Sequence, residues 1–168
     1  MRSKWIFLAI TAILTFSNSC VQAPEYPDEP VITYAGMNKT TVHQGSPTAP
    51  LDTLEIRFNF TDGDGDLRDI ESGIPDISVM DSRDNSVTPF FIPEFTRQGA
   101  GNGISGEITI KILNKPGAGI CCVFPNSTAC VKSTTFPTNT MFYTIKMRDQ
   151  AGHESNTIQT EQITILCD

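Results

Sequence analysis

Residues 54–67 read LEIRFNFTDGDGDL, an alternating run that breaks into an Asp-Gly repeat. Leu54, Ile56, Phe58 and Phe60 alternate with Glu55, Arg57 and Asn59. Successive side chains of an extended chain point to opposite faces, so this pattern predicts a strand with one buried face. The same period recurs. Ile104, Ile108, Ile110 and Ile112 alternate with Ser105, Glu107, Thr109 and Lys111, and Met141, Tyr143, Ile145 and Met147 alternate with Phe142, Thr144 and Lys146. Residues 158–167 carry Ile163 and Ile165 on one face, and less regular strands are expected at 31–36, 76–81 and 87–92. No helical period competes. The chain is therefore expected to be all-β and antiparallel, because one-faced strands separated by Gly, Pro, Asn and Asp clusters suit sheets that pack on one side only.

About seven short strands of this kind suit an immunoglobulin-like β-sandwich. The region ahead of them has a different character. Arg2 and Lys4 form a basic start, Trp5 to Phe16 is an apolar run of twelve, and Ser17-Asn18-Ser19 leads into Cys20. That run is shorter than the roughly 20 residues needed to span a bilayer and has the layout of a secretory signal. A cysteine directly after small residues resembles the lipobox of bacterial lipoproteins, with Ser17 standing where Leu is usual. The resemblance implies removal of the signal peptide at residues 1–19 and lipidation of Cys20, which anchors the chain to a membrane. Cutting elsewhere would leave Cys20 as an ordinary thiol. Residues 20–30 then form a Pro- and acid-rich linker, expected to be stiff and extended, and residues 31–168 form the domain. Glu25, Asp28 and Glu29 resemble the surface-export signals of some lipoproteins, which implies an outer-membrane location in the cell envelope.

Residues 1–19 carry two basic and no acidic side chains, so their removal leaves 149 of the 168 residues and moves the formal charge from −7 to −9. An acidic surface argues against nucleic acid, which requires a basic patch to displace phosphate counterions. It favours cations. With Cys20 assigned to lipid, Cys121, Cys122, Cys130 and Cys167 remain, an even number that predicts disulfides in an exported chain. Bonding between adjacent cysteines is strained, so one of Cys121 and Cys122 pairs with Cys130 and the other with Cys167; both such pairings stay open.

Asp62, Asp64 and Asp66, spaced by Gly63 and Gly65, put three carboxylates at alternate positions of a loop directly after a strong strand. Hard oxygen donors at this density suit Ca²⁺, which takes six to eight oxygens at about 2.3–2.6 Å. The run opens like an EF-hand loop and then departs from it, with Leu67 in place of the required Gly and Gly73 in place of the closing Glu. It also reads simply as an Asp-Gly turn between strands.

Residues 54–67, taken with YTIKMRDQAGHESNTIQTEQITI at 143–165, resemble the immunoglobulin-like or cadherin-like modules of bacterial surface lipoproteins, His153 replacing the usual Asn of a D-x-A-G-N-x-S-N ending. In an immunoglobulin-like order the loops after 54–60 and after 141–148 lie at the same end, so Asp149 is expected beside the Asp62–Asp66 loop, with Asp69, Glu71 and, more weakly, Glu154 as further ligands. The cysteine-bearing residues 114–140 fall at the opposite end. The resemblance implies a structural metal that stiffens the neck below the domain.

Catalysis is not expected. Neither His43 nor His153 has a Ser or Cys partner and an orienting acid, and Gly-Ile-Ser-Gly-Glu around Ser105 is not a nucleophile elbow. The expected role is a non-catalytic module presenting a binding or structural surface to a surface-protein partner. The alternative is a glycan-binding module, for which Phe90, Phe91, Phe95 and Phe142 are the aromatic candidates.

Overall fold

The computed structural model describes residues 25–45, 50–67, 73–93, 103–115 and 118–167. Cys20, Asp69, Glu71 and Phe95 lie outside them. The described chain is all-β, without a helix. Its strands are β1 (Val31–Met37), β2 (Thr41–His43), β3 (Thr53–Asp62), β4 (Ile77–Asp81), β5 (Val87–Phe90), β6 (Ile104–Lys115), β7 (Ala118–Gly119), β8 (Thr138–Met141), β9 (Tyr143–Met147), β10 (Ile158–Gln159) and β11 (Ile163–Leu166). They form a four-stranded sheet β1-β3-β6-β7, a four-stranded sheet β10-β9-β4-β5 and a three-stranded sheet β2-β11-β8. Every pairing is antiparallel except that of β2 with β11.

These sheets follow from the alternation. Along β3 the inward positions Leu54, Ile56 and Phe58 are all fully buried, and they meet Ile110 and Ile112 of β6. Facing them are Ile77 and Val79 of β4, Tyr143, Ile145 and Met147 of β9, and Ile163 and Ile165 of β11, in one hydrophobic core shared by all three sheets.

Four strands are additional to the expected seven: β2 and β7 are short strands that no alternation marked, and two more arise from interruptions. Segment 138–147 is interrupted at Phe142, whose backbone N–H donates to Ser82 Oγ at 3.0 Å and whose carbonyl accepts from Ser82 N at 3.1 Å. These bonds turn it towards the β4–β5 turn, so β8 belongs to one sheet and β9 to another. Residues 158–166 are interrupted opposite it. Thr160 Oγ1 accepts the Tyr143 N–H at 3.0 Å, and the register slips by one residue between Gln159↔Thr144 and Ile163↔Met141, which is a bulge.

Register fixes the two ends of the molecule. Val31 pairs with Thr61 and Ile104 with Asp62, so β1 begins, β6 begins and β3 ends at the same pole. Thr53 pairs with Leu113 at the other end, placing the cysteine-bearing segment there. That segment is fastened by Cys121–Cys130 and Cys122–Cys167, which resolves the two pairings left open by the sequence. Arg83 also grips it, with a forked pair to Asp81 and a bond from Nη1 to the Cys121 carbonyl at 2.7 Å.

Candidate metal centre

Asp62 is the last residue of β3 and lies in phase with Leu54, Ile56 and Phe58, so the strand's own alternation turns its carboxylate inward. The residue is 0% exposed. Its Oδ2 accepts the Asp66 N–H at 3.1 Å, a bond across the loop that Gly65 makes feasible by adopting a left-handed φ of 72°. Leu67, which broke the EF-hand pattern, is fully buried in the core and draws the loop back onto the domain.

The loop after β9 closes on the same place, as the topological argument required. Gln150 N donates to the Asp66 carbonyl at 3.0 Å and Ala151 N to Asp66 Oδ2 at 3.1 Å. Asp62 and Asp66 each therefore have one carboxylate oxygen fixed by a backbone N–H. Asp62, Asp64 and Asp66 bring ligand-competent oxygens within 4.8 Å of one another, and Oδ1 of each is buried without a hydrogen-bond partner among the described residues. Buried acceptors are nearly always satisfied, so three orphaned carboxylate oxygens in one place need an explanation.

Electrostatics points the same way. Burial, then the charges of Asp64 and Asp66, push the Asp62 carboxyl up to about 7. Asp66 is pushed up to about 6, by burial first, then by its contact with Asp64 and the charge of Asp149. Without a counter-charge, protons must relieve this crowding at neutral pH. A hard divalent cation would relieve it while satisfying the orphaned oxygens.

Asp149, expected beside these three, lies next to the loop but outside the group of clustered oxygens. Its Oδ1 accepts the N–H groups of Gly152 and His153, both at 2.7 Å, and its Oδ2 lies 2.8 Å from His153 Nδ1. Both oxygens are engaged within their own loop, and the charge of Asp149 adds to the upward push on Asp66. Its contact with His153 raises the imidazole pKa. Glu154 is engaged elsewhere, paired with Lys146 at 2.8 Å.

The neck enters beside the cluster. A Cβ on Gly63 would lie 2.5 Å from the Tyr26 carbonyl oxygen and 2.7 Å from that of Pro27, and a Cβ on Gly103 would lie 2.8 Å from the Tyr26 ring. Residues 26 and 27 therefore lie directly over the acidic loop, and the ordered body reaches into the segment expected to be a linker, with Pro30 buried as well. Asn156 was missed by sequence reasoning. Its amide bonds both backbone groups of Ile32, Oδ1 accepting at 2.8 Å and Nδ2 donating at 2.9 Å, and so staples the start of β1. The signal was present, since Asn156 is the final Asn of the D-x-A-G-N-x-S-N-like ending.

The aromatic candidates are dispersed. Phe90 packs against the core, Phe91 is exposed at the end of β5, and Phe142 is 37% exposed at the sheet break. The aromatic pair found among the described residues is instead Phe124 with Phe136, in the cysteine-bearing segment, with ring centroids 5.1 Å apart.

Comparison with known proteins returned no matching family model, no matching curated relative and no matching solved structure. The functional reading rests on this chain's own residues.

Proposed function

We propose that this protein is a non-catalytic cell-envelope lipoprotein, anchored through Cys20, that carries an immunoglobulin-like module with a structural Ca²⁺ at its neck. The fold part of this reading is supported by strand order. Taking β8 with β9 and β10 with β11 as single interrupted strands, the pairings run β1-β3-β6 in one layer and β10/β11-β8/β9-β4 in the other. This is consistent with the A-B-E and G-F-C order of an immunoglobulin sandwich, with β5 added beyond C, β7 beyond E and β2 beyond G.

The observation that carries the metal is the trio of buried, unpartnered Oδ1 atoms of Asp62, Asp64 and Asp66. An all-carboxylate donor set suits Ca²⁺ better than the softer transition metals, which prefer imidazole or thiolate. The three residues supply part of the six to eight oxygens that Ca²⁺ takes, leaving the remainder to carbonyls and water. Because residues 26 and 27 lie over Gly63, a cation that fixes this loop also fixes the course of the neck, so the domain projects from the membrane at a set angle.

Thermal unfolding in calcium, in magnesium and in excess EDTA tests the reading. Ligand binding to the folded state alone stabilises by about 2.7 kcal/mol at one hundred times the dissociation constant, which is several degrees in the midpoint for a domain of this size. A calcium-specific rise that disappears in Asp64→Ala is the expected outcome. An unchanged midpoint in all three conditions reduces the acidic run to a turn.

A further inference from the structure

The pole opposite the neck carries a second feature that the calcium reading does not use. Phe124 and Phe136 lie with ring centroids 5.1 Å apart and planes inclined by 31°, beside a shallow hollow of about 230 Å³ that is also lined by Lys132, Ser127 and Thr135. Phe136 is 55% and Val131 54% exposed, two apolar side chains side by side in the lining of one hollow. The backbone that carries both rings is fixed by hydrogen bonds. Ser127 N donates to the Phe124 carbonyl at 3.2 Å, Phe136 N donates to Ser133 Oγ at 3.0 Å, and Ser133 N donates to the Cys167 carbonyl at 3.2 Å. Cys121–Cys130 closes the loop that carries Phe124, and Cys122–Cys167 ties it to the C-terminal strand. Preorganisation of this kind lowers the entropy cost of binding.

Charge narrows the choice of partner. From Ile108 to Arg148 the chain has no Asp or Glu and five cations, although the whole protein carries −7. Lys111 is paired with Glu55 and Lys146 with Glu154, whereas Lys132, exposed at the hollow, has no ion pair among the described residues. The hollow is thus an apolar, cationic spot on an acidic molecule.

The geometry points to an acidic saccharide as its occupant, a pyranose bearing a carboxylate. The C–H face of a sugar ring meets the electron-rich face of Phe136 or Phe124, its hydroxyls meet Ser127 and Thr135, and its carboxylate meets Lys132. An acidic peptide fits less well. Extended peptides bind largely through backbone hydrogen bonds, and the N–H groups of Ser127, Cys130, Ser133 and Phe136 are already spent inside the loop. This inference rests on the reading of the chain as a non-catalytic presenting module and is independent of the metal at the other pole.

Calorimetric titration of the purified protein with an oligogalacturonate tests it, with a neutral gluco-oligosaccharide of equal length and poly-glutamate as comparisons. All titrations are run in EDTA, so that a bridging cation at the acidic pole plays no part, and at a temperature where unfolding curves show the protein folded. Oligogalacturonate is expected to bind more tightly than either comparison. Phe136→Ala is expected to weaken it about tenfold. Lys132→Ala is expected to weaken it severalfold and to flatten its dependence on salt. Lys132 is exposed, so Lys132→Ala is expected to keep the wild-type thermal midpoint, and Phe136→Ala, which also gives up the contact with Phe124, is titrated where its own unfolding curve shows it folded. Absence of binding, equal binding of poly-glutamate or of the neutral sugar, or binding indifferent to both substitutions overturns the assignment. Each of these results is separate from the calcium shift in the unfolding midpoint.

Discussion

Asp62 concentrates the chemistry of the acidic pole in one side chain, because the alternation that buries Leu54, Ile56 and Phe58 also buries a carboxylate at the strand's end. Its raised pKa of about 7, with that of Asp66 at about 6, sets the pH response. Unfolded, both groups titrate near 3.9, so in the metal-free protein their neutral forms are favoured by folding. The stability they contribute is fully present near pH 4 and is lost as pH rises through 6 and 7. The midpoint in EDTA is therefore expected to rise when pH is lowered from 7.5 to 5.5. Asp52, Asp84 and Glu154 have lowered values and lose their contribution only at more acid pH, whereas His153, raised by its bond to Asp149, titrates within this window and adds to the rise on acidification. A bound calcium would hold the carboxylates ionised in the folded protein, as they already are in the unfolded chain above pH 5.5, so in calcium the contribution of Asp62 and Asp66 to this pH dependence is expected to disappear. Asp62→Asn removes the charge at nearly constant shape. At pH 7.5 it is expected to raise the midpoint in EDTA and to abolish the response to calcium, which thermal melts of the two proteins side by side will check.

At the scale of elements, the loop after β3 and the neck are fitted to each other through Gly63. The added Cβ of Gly63→Ala would press on the Tyr26 and Pro27 carbonyls at 2.5 and 2.7 Å, so the neck must shift. A cost of about 1–3 kcal/mol is expected from overpacking, read as a shift in the denaturant midpoint with an unchanged slope. Leu67→Ala opens a cavity beneath the same loop and should cost about 2–5 kcal/mol. At the other pole, Cys122–Cys167 closes a separation of 45 residues and Cys121–Cys130 one of 9. In the chain-entropy description these correspond to about 4 and about 2.5 kcal/mol, so the Cys122→Ser, Cys167→Ser protein should unfold at the lower denaturant concentration of the two double variants. The strands themselves were largely legible, since period-two runs at 54–60 and 104–112 lie inside observed strands and that at 141–147 covers the end of β8 and all of β9. The interruptions at Phe142 and Thr160 were not. They depend on Ser82 and Tyr143, residues distant in sequence whose hydrogen-bonding groups become neighbours only after the strands pair.

Across the whole molecule, register gives a long axis with a distinct chemistry at each end, acid and neck at one pole, disulfides and the exposed Phe136 ring at the other. If a cation fixes the neck, its effect should extend to residues 25–29, and a glutamate-specific protease should cut after Glu25 and Glu29 more slowly in calcium than in EDTA. Equal rates would separate the metal from the neck even if the metal binds. The sequence by itself determined what local patterns can carry: an all-β chain, one inward face per strand, the acidic loop as a cluster of hard donors, and four cysteines limited to two pairings. These are properties of neighbours along the chain, where alternation and spacing act directly. Only the tertiary structure decided which cysteines pair, that Asp149 spends its carboxylate on its own loop, that Asn156 staples β1, and that Phe124 meets Phe136. Each depends on the mutual position of segments brought together by the shared core, and no periodicity in a single segment encodes that position.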